Sequence, residues 1–305
     1  MPIEKIAWGG WQNCYRLSND VVEVIVTADV GPRVISYRLL DGGKNVLNVK
    51  EDTLGKTGGD EWRIYGGHRL WHAPEHPVRT YVPDNGPVAI EVGGQSATFR
   101  APVEAATGIQ KTVTLTLGDD TQVRVQHALT NQGPWPVELA VWALSVMAVG
   151  GVGIVPLPER GTHPADLLPN TQLIFWSYCD LSDPRWTFGR EYILLRQDVH
   201  STAPQKFGGR VLDGWIAYAN GGTLFAKTFA DVPGAAYPDL GCSAELFSCD
   251  WMLEMETLAP LVRLEPGSTA THDERWALFP DVPTPQNDAD VKAHVQPLID
   301  GLLAE

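Results

Sequence analysis

Between Ile109 and Leu117 the chain alternates strictly: Ile109, Lys111, Val113, Leu115 and Leu117 are separated by Gln110, Thr112, Thr114 and Thr116. A period of two places these sets on opposite faces of a β-strand, one mainly apolar and one polar, which a helical stripe cannot do. Similar runs recur along the chain. Cys14–Leu17 and Val21–Thr27 flank the turn residues Ser18-Asn19-Asp20, and Arg33–Leu39 closes at Asp41-Gly42-Gly43. Further strand runs are read at Val88–Val92, Ser96–Ala101, Thr121–Thr130, Val137–Val149, Glu191–Arg196, Val211–Tyr218, Thr223–Phe229 and Thr269–Phe279. In the Thr121–Thr130 run His127 shares a face with Val123, Val125 and Leu129, which predicts a hydrogen-bonded core histidine. Many strands parted by turns, with no βαβ alternation and no fixed repeat, predict an all-β antiparallel sandwich. No linker splits the chain, so residues 1–305 are read as one domain. Only the tail is helical, over about 287–304. Asn287 or Asp288 can cap it, Val291, Val295, Leu298, Ile299 and Leu302 form one stripe, and Pro297 predicts a kink.

Composition narrows the partners. The 37 acidic residues against 23 basic ones give a formal charge of −14, which disfavours nucleic acid and anionic membrane surfaces. A 44% hydrophobic content suffices for a large core, and no window has the length of a transmembrane helix. The start, Met1-Pro2-Ile3-Glu4-Lys5-Ile6, has no apolar leader segment. Cysteines at 14, 179, 242 and 249 are widely scattered with no metal-ligand spacing, which fits reduced thiols better than a disulfide framework, although a hairpin could bring Cys242 and Cys249 together. A cytoplasmic location is expected.

Tyr65-Gly66-Gly67-His68-Arg69-Leu70-Trp71-His72-Ala73-Pro74-Glu75-His76 reads as a site. It lies in residues 50–86, a stretch dense in Gly, Asp, Pro and charge that predicts a long ordered connection. A pyranose needs planar hydrogen-bonding partners for its hydroxyls and a ring for its C–H face, which Arg69, Glu75 and Trp71 supply. His68 is a candidate proton donor. Two readings of His68 and Arg69 stand together, ligand contact and satisfaction of backbone groups in a turn. Histidines 68, 72 and 76 have helical spacing, but Pro74 and Pro77 interrupt any such helix, so neither metal nor cofactor is expected. Arg33, just inside its strand, is read either as a ligand contact or as a surface arginine paired with a carboxylate.

Within Trp251–Thr257 alternation puts Met252, Glu254 and Glu256 on one face. Those carboxylates either point into solvent or line a polar cavity, where repulsion and desolvation would raise at least one pKa. Residues 156–190 lose periodicity, carry Trp176 and Trp186, and predict a second excursion near the site.

Taken together, Gly31-Pro32-Arg33-Val34, Gly66–Trp71, Trp142–Met147, Leu253–Leu258 and Leu264-Glu265-Pro266-Gly267 followed by Trp276 resemble the galactose mutarotase-like (aldose 1-epimerase-like) superfamily. The resemblance covers most of the chain and is nearest to a branch whose reaction is unassigned. It implies a large antiparallel β-supersandwich and a carbohydrate ligand. It further implies a late-strand glutamate that removes the anomeric hydroxyl proton while a histidine protonates the ring oxygen. By that resemblance Glu256 is the base and His68 the acid. Arg33, Arg69, Glu75 and Glu254 are then sugar contacts, and Trp71 or Trp142 the stacking platform. Relatives carry a second histidine after the segment matching Asn131-Gln132-Gly133, whereas this chain has Trp142 and no histidine between His127 and His163. The expected function is a sugar mutarotase or epimerase. Alternatives are a non-catalytic carbohydrate-binding protein, a carbohydrate lyase or isomerase, and a structural protein reusing the sandwich. His68 and Glu256 are expected to face each other across a gap of roughly 5–10 Å.

Overall fold

Every strand pairing in the computed structural model, which describes residues 3–304, is antiparallel, and the pairings sort into two sheets. The first sheet carries the site. Its middle runs Arg33–Leu39, His68–Ala73, Val137–Met147, Met252–Leu258, Ala244–Cys249 and Gln205–Gly209, in that spatial order. The second sheet holds Ile109–Leu117 and Val123–Asn131 beside Thr269–Phe279 and Thr223–Phe229. The predicted sandwich is the observed architecture.

Between the sheets the inward faces meet in one apolar layer. Val24, Tyr37, Leu70, Val141, Leu253 and Met255 pack from the first sheet, and Val113, Leu115, Val125, Phe225 and Trp276 from the second. Each fully buried large apolar side chain contributes on the order of 1.5–3 kcal/mol. Ile109–Leu117 has the predicted alternation, with Lys111 on the buried face and its Nζ 2.5 Å from Glu104 Oε1.

Two expectations are corrected. His68–Ala73 is not part of an irregular connection; it is a central strand, buried along its whole length and paired with Val137–Met147 from Ala73↔Ala140 to His68↔Ser145. Gly67, which leads into it, has φ +67°, and a Cβ there would lie 2.2 Å from the Val34 carbonyl oxygen. Only glycine permits that entry without backbone displacement. The C-terminal helix is two helices, Asp288–His294 and Gln296–Leu303, broken at Val295. Pro297 lies in the first turn of the second helix, where its missing N–H costs no hydrogen bond. Asn287 caps the first helix through the Asp290 N–H. Val291, Val295, Ile299 and Leu302 then pack on the outer face of the second sheet over Ala217, Ala219, Ala226 and Ala277, whose small side chains leave room for them. No helix of the described residues is long and apolar enough to cross a membrane.

Candidate functional site

The outer face of the first sheet is built by register. Trp71 pairs with Trp142, Arg69 with Leu144, Leu144 with Glu256, and Glu256 with Glu245. One row further along, Val146 pairs with Glu254, Glu254 with Phe247, and Phe247 with Lys206. Paired residues share a face, so five strands deliver aromatic, acidic and basic side chains to one surface. Gly208, opposite Glu245, supplies the room: a Cβ there would lie 3.1 Å from Glu245 Cγ.

That surface floors a cavity of about 400 Å³. Such a volume falls in the range of roughly 300–1,000 Å³ usual for small-molecule sites. Its aromatic wall is continuous: ring centroids lie 5.3 Å apart for Trp71 and Trp142, 5.5 Å for Trp62 and Trp71, and 5.1 Å for Trp62 and Tyr81. Trp176 and Tyr178 of the second excursion also line it, with Lys206, Phe247 and Met252. Glu75 stands at the exposed rim, hydrogen-bonded to the Tyr81 hydroxyl.

The acidic and basic groups at the floor are paired. Arg69 Nη1 donates to Glu254 Oε1 at 2.6 Å, and its guanidinium lies 4.2 Å from the Trp71 ring centre. Glu256 Oε2 accepts from Trp142 Nε1–H at 2.9 Å and from Lys206 Nζ at 3.0 Å. Lys206 Nζ is also 2.8 Å from Glu245 Oε2, and it sits 5.0 Å from the Trp142 ring centre and 4.6 Å from that of Trp176. Glu256 Oε1 has no hydrogen-bond partner, nor has Trp62 Nε1. Burial raises the Glu256 carboxyl above its ordinary range, with Lys206 pulling the other way. Burial raises Glu245 well above that range, again against Lys206. A buried carboxylate with one vacant oxygen can accept a proton from a bound hydroxyl. Glu256 has 0% exposure, so a ligand reaches Oε1 only as cavity-lining side chains turn aside.

Arg69, Trp71, Trp142, Glu254 and Glu256 converge on this cavity, with Glu75 at its rim. Arg33 does not line it: it is 1% exposed, bonded to Asp84 Oδ2 at 2.6 Å and to the Gly66 carbonyl at 3.2 Å. Of the two readings of Arg33, the carboxylate pairing is the one observed, in the interior rather than at the surface.

His68 is corrected as well. Alternation turns it to the opposite side of its strand from Arg69, into the layer between the sheets. There Nδ1 lies 2.8 Å from Ser145 Oγ and Nε2 lies 2.7 Å from His127 Nε2. His127 Nδ1 lies 3.0 Å from the His272 carbonyl oxygen and must carry its proton to bond there, which makes Nε2 an acceptor and His68 Nε2–H the donor. The predicted core histidine His127 is therefore found, with His68 beside it. The gap expected between His68 and Glu256 does not exist, because the sheet itself separates them. His68, His127 and Glu274 bring metal-ligand atoms within 4.8 Å of one another. Lys227 Nζ, 2.9 Å from Glu274 Oε1, already supplies that carboxylate with a cation, and Trp276 Nε1–H donates to its other oxygen at 2.7 Å. His72, facing the same layer, has Nε2 3.9 Å from Glu104 Oε2.

Sequence reasoning passed over Lys206, Glu245, Trp62, Tyr81 and Tyr178. One signal was available. Asp250-Trp251 is a two-residue turn, and a turn of that length fixes the register that sets Glu245 opposite Glu256.

No protein-family model matches the chain, and no curated protein matches it. Solved structures do. A candidate aldose 1-epimerase from Klebsiella pneumoniae aligns with a TM-score of 0.60 at 14% identity, over 98% of this chain and 87% of that one. A galactose mutarotase-like protein from Lactobacillus casei aligns at 0.56 and 12% identity, over 88% of this chain and 100% of that one. A TPR-domain-containing protein from Parabacteroides distasonis gives 0.61 and 17% identity, over 88% of this chain but 47% of that one. With two antiparallel sheets that align to these structures along most of its length, the chain has the galactose mutarotase-like fold.

Proposed function

We propose that the cavity binds a free sugar and that Glu256 is the proton acceptor of a ring-opening, anomerising reaction. One observation carries the reading: Glu256 is buried at the floor of an aromatic-walled, sugar-sized cavity, and its Oε1 has no partner. A sugar C–H face stacks on Trp71 or Trp142, and its hydroxyls bond Glu254, Arg69 and the free Trp62 Nε1–H. With the anomeric hydroxyl on Glu256 Oε1, proton removal drives electrons toward C1. The C1–ring oxygen bond opens, rotation about C1–C2 follows, and closure gives the other anomer. A non-catalytic sugar-binding role is the second reading, favoured by the absence of histidine among the described residues that line the cavity. We place the protein in the cytoplasm on its four unpaired cysteines.

Saturation-exchange NMR between α and β anomers, run across a panel of free aldoses, tests the reading. Faster exchange of at least one aldose in the presence of the protein is expected. Binding of an aldose without faster exchange of any would leave the second reading.

A further inference from the structure

Resting on the reading of Glu256 as the base, we infer that Lys206 is the general acid of the same reaction. Its Nζ donates to the ring oxygen while Glu256 takes the anomeric proton, and Glu245 is the positioning residue that holds Nζ in place.

The geometry suits the substrate. The anomeric and ring oxygens of a pyranose are bonded to the same carbon, so they need a donor and an acceptor side by side rather than on opposite walls. Lys206 Nζ and Glu256 stand 3.0 Å apart on adjoining parts of the cavity floor. His68 cannot serve, because it lies beyond the sheet. Arg69 cannot either, since a guanidinium does not release its proton in the working range and is tied to Glu254.

The step balances. The O1–H proton goes to Glu256 Oε1, and the O1–H electron pair becomes the second C1–O1 bond. The C1–ring oxygen pair leaves with the ring oxygen, which takes a proton from Nζ. The amine then recovers a proton from Glu256 across their contact, and the cluster returns to its starting charge. Closure after rotation runs the same steps in reverse.

Lys206 gives up that proton only when its carboxylates let it. Burial alone would lower the ammonium, but Glu245 and Glu256 outweigh burial and raise it well above its ordinary value. As Glu256 becomes protonated, one of those two charges disappears and Nζ turns more acidic at the moment the ring oxygen needs a proton. Tyr178, Asp239 and Cys242 also feel the Lys206 charge. Tyr178 and Cys242 are pushed up by burial and stay neutral. Glu254 is engaged by Arg69, and Glu75 lies at the rim.

Two variants of the full chain test this by anomer-exchange NMR. Lys206→Arg keeps a cation between the carboxylates but removes the transferable proton. It is expected to bind the aldose that the wild type turns over, with KM little changed, and to lose about a hundredfold or more in kcat. Glu245→Gln removes one of the charges that hold the Nζ proton, and the alkaline limb of its pH–rate profile is expected to move to lower pH. Wild-type kcat in Lys206→Arg would overturn the inference and leave Glu256 as base untouched. If that variant does not fold, an unmoved alkaline limb in Glu245→Gln overturns it. A wild-type protein that accelerates no aldose overturns both this inference and the anomerising reading.

Discussion

Replacing Glu256 with glutamine is expected to slow anomer exchange by about a hundredfold or more while changing sugar affinity little. The substitution keeps the shape of the side chain and can still accept the Trp142 Nε1–H bond now made to Oε2. It removes the oxygen that would accept the anomeric proton. It also takes one of two negative charges from beside Lys206, so the ammonium stays paired with Glu245 and the fold is not left with an unmatched buried cation. Parallel measurement of rate and dissociation constant checks the expectation. A loss of affinity equal to the loss of rate would assign Glu256 to binding alone.

The strands that announce themselves in the sequence are those with one polar face. Ile109–Leu117 and Thr269–Phe279 were legible because their outward residues meet solvent and their inward residues meet the core. His68–Ala73 was not, because both of its faces are buried. His68 turns to Ser145 and His127 between the sheets, His72 faces the same layer, and Arg69 and Trp71 turn to the cavity, so no apolar and polar sets separate. Gln205–Gly209 was hidden for a related reason: Gly208 makes room for Glu245, and Gly208 and Gly209 together weaken the strand signal. Lys206 went unread with it. Glu254 and Glu256 were legible as a facing pair, since Met252, Leu253 and Met255 fix the alternation around them. The choice between solvent and cavity depended on strands distant in sequence, which residue types alone do not locate.

Acidification from pH 7 to pH 4 is expected to lower the stability of the fold steeply, through four histidines buried between the sheets: His68, His72, His127 and His272. Burial holds His272 at about 4 and His72 at about 3, and it lowers His68 and His127 as well. Unfolded histidine titrates near 6.5. Between about pH 6.5 and 4 the unfolded chain therefore binds more protons than the folded one, and stability falls as pH falls through that window. The stability these neutral imidazoles contribute is fully present above about pH 6.5. For His272 and His72 the loss is on the order of a few kcal/mol each. Glu274 adds to it at lower pH. Burial would raise this carboxyl, but the Lys227 ammonium holds it well below the usual range, so its contribution is lost as pH drops below about 4.5. Urea-unfolding midpoints measured at intervals from pH 8 to pH 4 check the window. A midpoint unchanged between pH 7 and pH 5 would mean that these imidazoles are not kept neutral by the fold.

The proposed sugar sits in the cavity between Trp71, Trp142 and the Glu254–Glu256 face. Among eleven tryptophans, Trp62, Trp71, Trp142 and Trp176 line it, while Trp11, Trp215 and Trp276 are buried elsewhere and Trp135 is exposed at the surface. Indole N–H resonances of the ¹⁵N-labelled protein, assigned by single Trp→Phe variants, distinguish these groups during titration with a panel of free aldoses. At least one aldose is expected to shift the Trp142 and Trp62 signals, saturably, with the Trp11, Trp215 and Trp135 signals unmoved. Cavity indoles that stay in place for every aldose, or shifts confined to Trp135, would contradict it.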